Sequence, residues 1–457
     1  MKQKTLKILL AVVSVLLVCV LLVQVLYASG VFKAKAQPAE AAEPASLDDL
    51  SGMPLHREGY TLEQVVILSR HNIRSPMSGK GSALDTLTPH EWFSWSSNPS
   101  QLSIRGGVLE TEMGQYFRKW MESEGLIPEN WLPEDGAIRV YANSKQRTLA
   151  TAKFFCAGLF PAADTEIEHH GEFDKMDPVF TPQLTFVTDQ YREDMIKEIN
   201  ERFADDIAAL ADNYRLIEDV IDIRDSEDWK NGKTTGFLTD DSEFVLNENA
   251  EPGVKGSLKT ACSVSDALVL QYYEADDEHA AFGKTLTQEQ WKDISAVKDL
   301  YGDVLFTAPD IAANVAHPLL QEIYQELMTP GRKFTFLCGH DSNVGSVLAA
   351  LGVAEYDLPD AIESKTPIGC KLVFCRWRGP DGGSYCTVDL VYQTVDQLRS
   401  APLLDLDQHP AVVPMRFQGI TANADGLYAE QDFLNLLKDT IAEYDQITQT
   451  YALPAAA

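Results

Sequence analysis

The chain has 457 residues, 45% of them hydrophobic, and carries 68 Asp and Glu against 38 Lys and Arg, a formal net charge of −30. That apolar content is ample for a sizeable core, so a disordered or fibrous chain is excluded, and the length suggests two or three structural units. The acidic balance argues against duplex nucleic acid or anionic lipid as partners, because both need a basic surface, and directs attention to wherever basic residues gather.

Lys2, Lys4 and Lys7 precede the uncharged run Ile8–Tyr27. Its length is close to the ~20 residues of a spanning helix and exceeds the ~7–15 of a signal-peptide core. Residues 1–28 therefore read as a membrane anchor with a cytoplasmic N-terminus, which places the rest of the chain outside the cytoplasm. A cleaved signal is the alternative, since Ala34-Lys35-Ala36 resembles a small-x-small cleavage site, and the protein would then be secreted or periplasmic. Cys19 is a poor lipoprotein cysteine, because bulky Val18 precedes it and the apolar run continues past it. Residues 29–57 read as a linker containing the low-complexity stretch Gln37–Ser46.

The short apolar runs Glu63–Ser69, Ile138–Ala142 and Phe334–Cys338 predict strands buried on both faces. Lys145–Leu159, with Ser144 as its N-cap, and Asn343–Leu351, ending at Gly352, predict helices after the second and third strands. Strand, loop and helix in repetition indicate an α/β sheet. The acidic stretch 165–301, with helical segments at Glu193–Glu218 and Ser263–Glu274, reads as an inserted helical domain between α/β parts spanning 58–164 and 302–457. Glu430–Tyr444 is expected to form a final helix. Beyond Cys19, the cysteines at 156, 262, 338, 370, 375 and 386 lie mostly in apolar settings, which favours buried thiols. The best candidate disulfide joins Cys375 to Cys386, on the strand-like runs Lys371–Trp377 and Tyr385–Tyr392 of an expected hairpin. No His/Cys group has metal-ligand spacing, so no metal is expected.

The first strand runs into Arg70-His71-Asn72-Ile73-Arg74-Ser75-Pro76. Ligands of open α/β sheets bind beyond the C-terminal ends of strands, and arginine offers paired donors and permanent charge to phosphate. Arg147 stands in the first turn of the next helix, where backbone N–H groups also favour an anion. The third strand ends in Gly339-His340-Asp341. Singly, such pairs are usually incidental. Jointly, at the same end of three apolar strands, the surface reading becomes strained, and if the strands are neighbours Arg70, His71, Arg74, Arg147, His340 and Asp341 meet on one rim. The remaining histidines, at 56, 90, 169, 170, 279, 317 and 409, lack such settings and read as structural or surface groups.

The run Arg70–Pro76 resembles the Arg-His-Gly-x-Arg-x-Pro signature of the histidine acid phosphatases, and Gly339-His340-Asp341 resembles their distal His-Asp motif. Asn72 stands where most members have Gly, a departure shared by the glucose-1-phosphatase branch. The likeness extends through 141–152, Met176-Asp-Pro178, Glu251-Pro-Gly-Val254, Leu270–Glu274, 339–343 and Thr366-Pro-Ile-Gly369, and covers nearly everything from Gly59 to Leu436. The disulfide cysteines of the secreted members have no counterparts here. The resemblance implies a mixed central sheet flanked by helices, an inserted helical domain, and a site in the cleft between them. It implies that Arg70, Arg74, Arg147 and His340 hold the phosphate, that His71 is the nucleophile and that Asp341 is the general acid, with no metal or cofactor. Glu251 and Met77 would govern substrate specificity, Glu251 by accepting hydrogen bonds from sugar hydroxyls. The partner would be a small-molecule phosphate ester, glucose 1-phosphate first and an inositol polyphosphate as the alternative. Contact with membrane would be through the N-terminal segment only. An acid optimum at roughly pH 4–6 is expected, since a bound phosphate should raise the Asp341 pKa.

Three other readings compete. Cys370–Arg376 matches a Cys-x5-Arg phosphatase loop, but its strand-forming interior has no glycine with which to turn amides towards phosphate. A phosphoglycerate mutase is disfavoured by the long insertion and the export signal. A surface receptor for phosphorylated ligands would need neither His71 nor Asp341. The oligomeric state stays open.

Overall fold

The computed structural model describes residues 54–77 and 82–452; the segment Ile8–Tyr27, and with it the choice between anchor and cleaved signal, lies outside the described residues. Among the described residues no helix is long and apolar enough to cross a membrane.

Strand β1 (Thr61–Arg70) occupies the middle of a mixed sheet. The helix α1 (Ile104–Ser123), strand β2 (Ile138–Ala142) and helix α2 (Gln146–Leu159) follow it. A helical stretch comes next: α3 (Asp189–Ala209), α4 (Ala211–Val220), α5 (Ser257–Glu274), α6 (Gln288–Phe306) and α7 (Pro309–Met328). The chain then returns to the sheet as β3 (Phe334–Gly339), α8 (Asp341–Ala350), β4 (Lys371–Arg378), β5 (Ser384–Tyr392) and β6 (Ala411–Pro414), and closes with β7 (Tyr428–Ala429) and α9 (Glu430–Thr450). The sheet order is β2-β3-β1-β4-β5-β6, with β7 also pairing with β5. The strands β2, β3 and β1 are parallel, and the others join antiparallel.

The uninterrupted apolar run of β1 follows from its position. Val65 and Ile67 pack with Met113, Phe117 and Trp120 of α1 and Phe155 of α2. Val66 and Leu68 face the opposite layer, with Leu320 of α7, Val344 of α8 and Phe433 of α9. A strand covered on both faces has no solvated side and so needs no polar alternation. The helices α1 and α2 cross at Gly114 and Gly158, where a Cβ would collide with the carbonyl oxygens of Phe155 and Thr111. In the helical stretch, α3 buries Tyr191, Met195, Ile199, Phe203 and Ile207, one per turn. That apolar cluster continues into Ile73, Leu109 and Ile368 beside the sheet.

Several sequence expectations shift. The periodic stretch Glu193–Glu218 is two helices with Leu210 at the break. Ser144 does not cap α2; Lys145 takes the cap position, and the Ser144 hydroxyl instead accepts the N–H of Gly171 at 2.9 Å. The helix α8 starts at Asp341, two residues earlier than expected, so that His340 is its cap and Asp341 its first residue. The Cys375–Cys386 pairing fails by one residue of register: Cys375 opposes Thr387, and Cys386 opposes Arg376. Successive side chains of a strand point to opposite faces, so Cys375 packs under α1 and Cys386 in the other layer. All six described cysteines are free thiols. The Cys370–Arg376 match runs into β4, whose amides are committed to the ladders with β1 and β5 and cannot cradle an anion.

Candidate active site

The parallel register brings three strand ends to one edge. Arg70 pairs with Gly339, and Ala142 pairs with Cys338. The loops that leave these ends line a cavity of about 620 Å³ bounded by His71, Arg74, Arg147, His340 and Asp341, with Met77 and Glu251 also on its wall. Among the sequence-predicted residues Arg70 stands apart. It is 1% exposed and lies beneath the floor, its Nη1 paired with Glu363 at 2.5 Å and its Nη2 3.5 Å from Asp341 Oδ2. None of the other histidines lines the cavity.

His71 Nδ1 is 2.9 Å from the carbonyl oxygen of Asn72. A carbonyl only accepts, so Nδ1 carries the proton and Nε2 keeps its lone pair. Burial, then the charges of Arg147, His340, Arg74 and Arg70, hold its pKa well below the ordinary histidine value. The side chain is therefore a neutral base. Arg74 is paired with Asp266 at 3.0 Å. Arg147 makes no ion pair among the described residues, and burial together with Arg74 pushes its pKa down to about 10. It remains charged at neutral pH, a cation in the wall with no direct ion-pair partner among the described residues, although Asp341, Asp174 and Asp266 act on it from further away. The His340 ring lies 5.4 Å from that of His71, edge to face.

Asp341 is 40% exposed in the cleft. Desolvation would raise its pKa, but Arg70 and Lys298 outweigh it, and with smaller help from His71 and His340 they hold the carboxyl well below its ordinary value. Lys298 of α6 is a functional neighbour that the sequence reading passed over: its Nζ lies 3.4 Å from Asp341 Oδ2 and 3.2 Å from Glu363 Oε1. Its signal was present, because Lys298 falls seven residues after Trp291 on the buried stripe that also carries Ile294. Glu363, fully buried, accepts further bonds from the N–H of Ile368 at 2.7 Å and from Tyr273 Oη at 3.3 Å.

Asn72 was noted as a departure from the signature, and its partners account for it. Its Nδ2 donates to Glu110 Oε1 at 2.8 Å, while its Oδ1 accepts the N–H of Ile73 at 2.8 Å. Glu110 and Lys371 form an ion pair at 2.8 Å with both side chains fully buried. Gly369, at φ +70°, presses against Asn72 Nδ2 where a Cβ would not fit. The loop carrying His71 and Arg74 is thus tied to a charged pair under the floor. Glu251 and Met77 stand on the exposed rim, Met77 at 65% exposure. Burial raises the Glu251 pKa, against the pull of Arg147.

Residues 61–393 match the family model of the histidine phosphatase superfamily, branch 2. Glucose-1-phosphatase of Salmonella typhimurium is 38% identical over 385 residues, which cover 83% of this chain and 92% of that protein. Glucose-1-phosphatase of Providencia rettgeri is 36% identical over 84% of this chain and 92% of its own length, and phytase AppA of Escherichia coli is 27% identical over 83% and 91%. The solved phytase of Citrobacter braakii superposes with a TM-score of 0.77 at 27% identity, covering 84% of this chain and 98% of that one. The chain belongs to branch 2 of the histidine phosphatase superfamily and is a phosphomonoesterase of the histidine acid phosphatase type.

Proposed function

We propose that the protein hydrolyses glucose 1-phosphate outside the cytoplasm, through a phosphohistidine formed on His71. The observation that carries this reading is the neutral His71, with the lone pair on Nε2, near the guanidinium of Arg147, which has no direct ion-pair partner among the described residues. His71 Nε2 attacks phosphorus and forms the P–N bond as the ester P–O bond breaks. The leaving oxygen takes its proton from Asp341. A water then attacks the phosphohistidine, Asp341 receives the water's proton, the P–N bond breaks, and inorganic phosphate leaves. Arg74, Arg147 and His340 hold the phosphoryl oxygens, with Arg70 contributing positive charge from below; this charge meets the charge of the transition state.

Asp341 is ionised in the free cleft, so it gains a proton as the substrate binds, and the proton it receives from water leaves with the inorganic phosphate. A phosphate monoester has a second pKa near ~6, and below that it binds as a monoanion carrying that proton. Bound phosphate also offsets the positive field of Arg70 and so raises the Asp341 pKa. Both effects favour activity on the acid side of neutrality.

Three observations bear on substrate. Glu251 on the rim can accept hydrogen bonds from sugar hydroxyls and repel additional phosphates. The higher identity to glucose-1-phosphatases than to the phytase supports the same choice. Lys145, Lys259 and Lys365 on the cavity wall favour the second reading, an inositol polyphosphate, whose extra phosphates would need such cations. The test is kcat/KM for glucose 1-phosphate, phytate and p-nitrophenyl phosphate in wild type and Glu251→Ala. Glucose 1-phosphate should be preferred by the wild type; the variant should lose on it, improve on phytate and hold on p-nitrophenyl phosphate. Parallel movement of all three would remove Glu251 from specificity. Failure of the wild type to release phosphate from any ester would favour a binding protein. Export rests on Lys2, Lys4, Lys7 and the apolar run after them, and is checked by cell fractionation.

A further inference from the structure

Asn143 is the first residue after β2 and is fully buried. Its carboxamide is used on every side. Oδ1 accepts the backbone N–H of Asp177 at 2.8 Å. Only the oxygen can accept there, so the amide has one orientation. Nδ2 then lies 2.7 Å from Nε2 of His340 and 3.2 Å from Sδ of Met176. Asp177 is itself fixed, its carboxylate accepting from Tyr141 Oη at 2.7 Å and from the N–H of His170 at 2.8 Å.

An amide nitrogen donates and never accepts, so Nε2 of His340 must supply the lone pair. The ring proton is left on Nδ1. That atom faces Nη2 of Arg147 at 3.4 Å, and a guanidinium is also a pure donor. Taken alone, that contact would make Nδ1 the acceptor, but the Asn143 contact is 0.7 Å shorter and comes from an amide of fixed orientation, so it decides the tautomer, and the guanidinium and Nδ1–H are both left to turn to an acceptor oxygen. We infer that Asn143 is a positioning residue that locks His340 in its neutral Nδ1–H tautomer, so that His340 offers the phosphoryl group a hydrogen bond without a charge. The inference rests on the phosphatase reading of this cleft and deepens it.

The surroundings agree. Burial, then Arg147, lower the His340 pKa far below its ordinary value, with Arg74 and Lys145 adding to the effect and Asp341 of its own helix opposing it. A carboxylate in place of the Asn143 amide would accept from Nε2–H and favour an imidazolium. That charge would stand 5.4 Å from the His71 ring and weaken the base that must attack. The amide avoids this while keeping the Nδ1 donor.

The test is long-range 1H–15N NMR on histidine-labelled full-length protein, with the His340 signals identified by their loss in His340→Gln. In wild type, Nε2 should show the shift of an unprotonated nitrogen and Nδ1 that of a protonated one, from about pH 5 to 8, with or without inorganic phosphate. A proton on Nε2, or an imidazolium in that range, would overturn the lock. In Asn143→Asp, both nitrogens should become protonated, and the inhibition constant for inorganic phosphate should acquire a pH step where His340 titrates. An unchanged His340 spectrum in that variant would equally overturn it. If Asn143→Asp fails to fold, the wild-type spectrum alone decides. The tautomer is read without turnover, so its failure leaves the phosphatase reading standing, and absence of phosphate release leaves the tautomer standing.

Discussion

Replacing Lys298 by Met should move the alkaline limb of kcat towards higher pH. The Lys298 ammonium is 3.4 Å from Asp341 Oδ2. Burial and Arg70 oppose its charge, but Glu363, Asp341 and Asp299 together hold its pKa above the ordinary lysine value, so it is a cation throughout the working range. At that separation a unit-charge pair is worth about 1 kcal/mol with water-like screening and about 5 kcal/mol at an effective dielectric of 20. Asp341 is 40% exposed, so the lower end applies. An effect of roughly 1–2 kcal/mol corresponds to about one pKa unit. The sign follows from the role proposed for Asp341. The carboxyl donates only when protonated, the ammonium favours the ionised form, and its loss raises the pKa, so that activity persists to higher pH by about one unit. Glu363 keeps Arg70, Ile368 N–H and Tyr273 Oη, and the fold should survive. The assay is kcat against pH with glucose 1-phosphate and with p-nitrophenyl phosphate, whose leaving group needs little protonation. The limb should move for the sugar substrate and hardly at all for the phenol, and Lys298→Arg should restore the wild-type profile. A limb that stays in place or moves to lower pH in Lys298→Met would refute the reasoning.

His71→Ala should lower kcat by about four to six orders of magnitude, as removal of a nucleophile does, while calorimetry finds inorganic phosphate still bound; substantial turnover would exclude His71 as the attacking group. Glu110→Ala should cost about 3–5 kcal/mol in urea unfolding, because it strands the fully buried Lys371 ammonium. Glu110→Ala combined with Lys371→Met should recover much of that loss, and the absence of recovery would show that the pair is not the source. Since the six described cysteines are free, a reductant should leave Tm unchanged, and a fall in Tm that is abolished by Cys375→Ser or Cys386→Ser would contradict the register of β4 and β5. Of these six, Cys262 on the cavity wall should react first with a thiol reagent, slowly, because burial raises its pKa, and phosphate should slow it further.

The residues that carry charge into the cleft were legible because their signals are local. An apolar run covered on both faces, ended by Arg70-His71, by Asn143 to Arg147 or by His340-Asp341, can be read within a dozen residues. Helices were less legible where their apolar stripes carry polar groups. The stripe of α6 holds Lys298, and α1 carries Glu110 and glycines on its buried side, so neither showed a clean period. Register was not legible at all: Cys375 and Cys386 miss each other by one residue because the ladder, and not the hairpin length, sets which side chains meet. The supporting groups needed the tertiary structure most. Lys298 meets Glu363 across 65 residues of sequence, and Asn143 meets His340 across 197. Sequence determined which groups could do the chemistry, since that depends on side-chain type and on a nearby strand end. The protonation states of His71, His340 and Asp341 were decided only by folding, because they depend on which distant donors and charges are brought within hydrogen-bonding and Coulomb range.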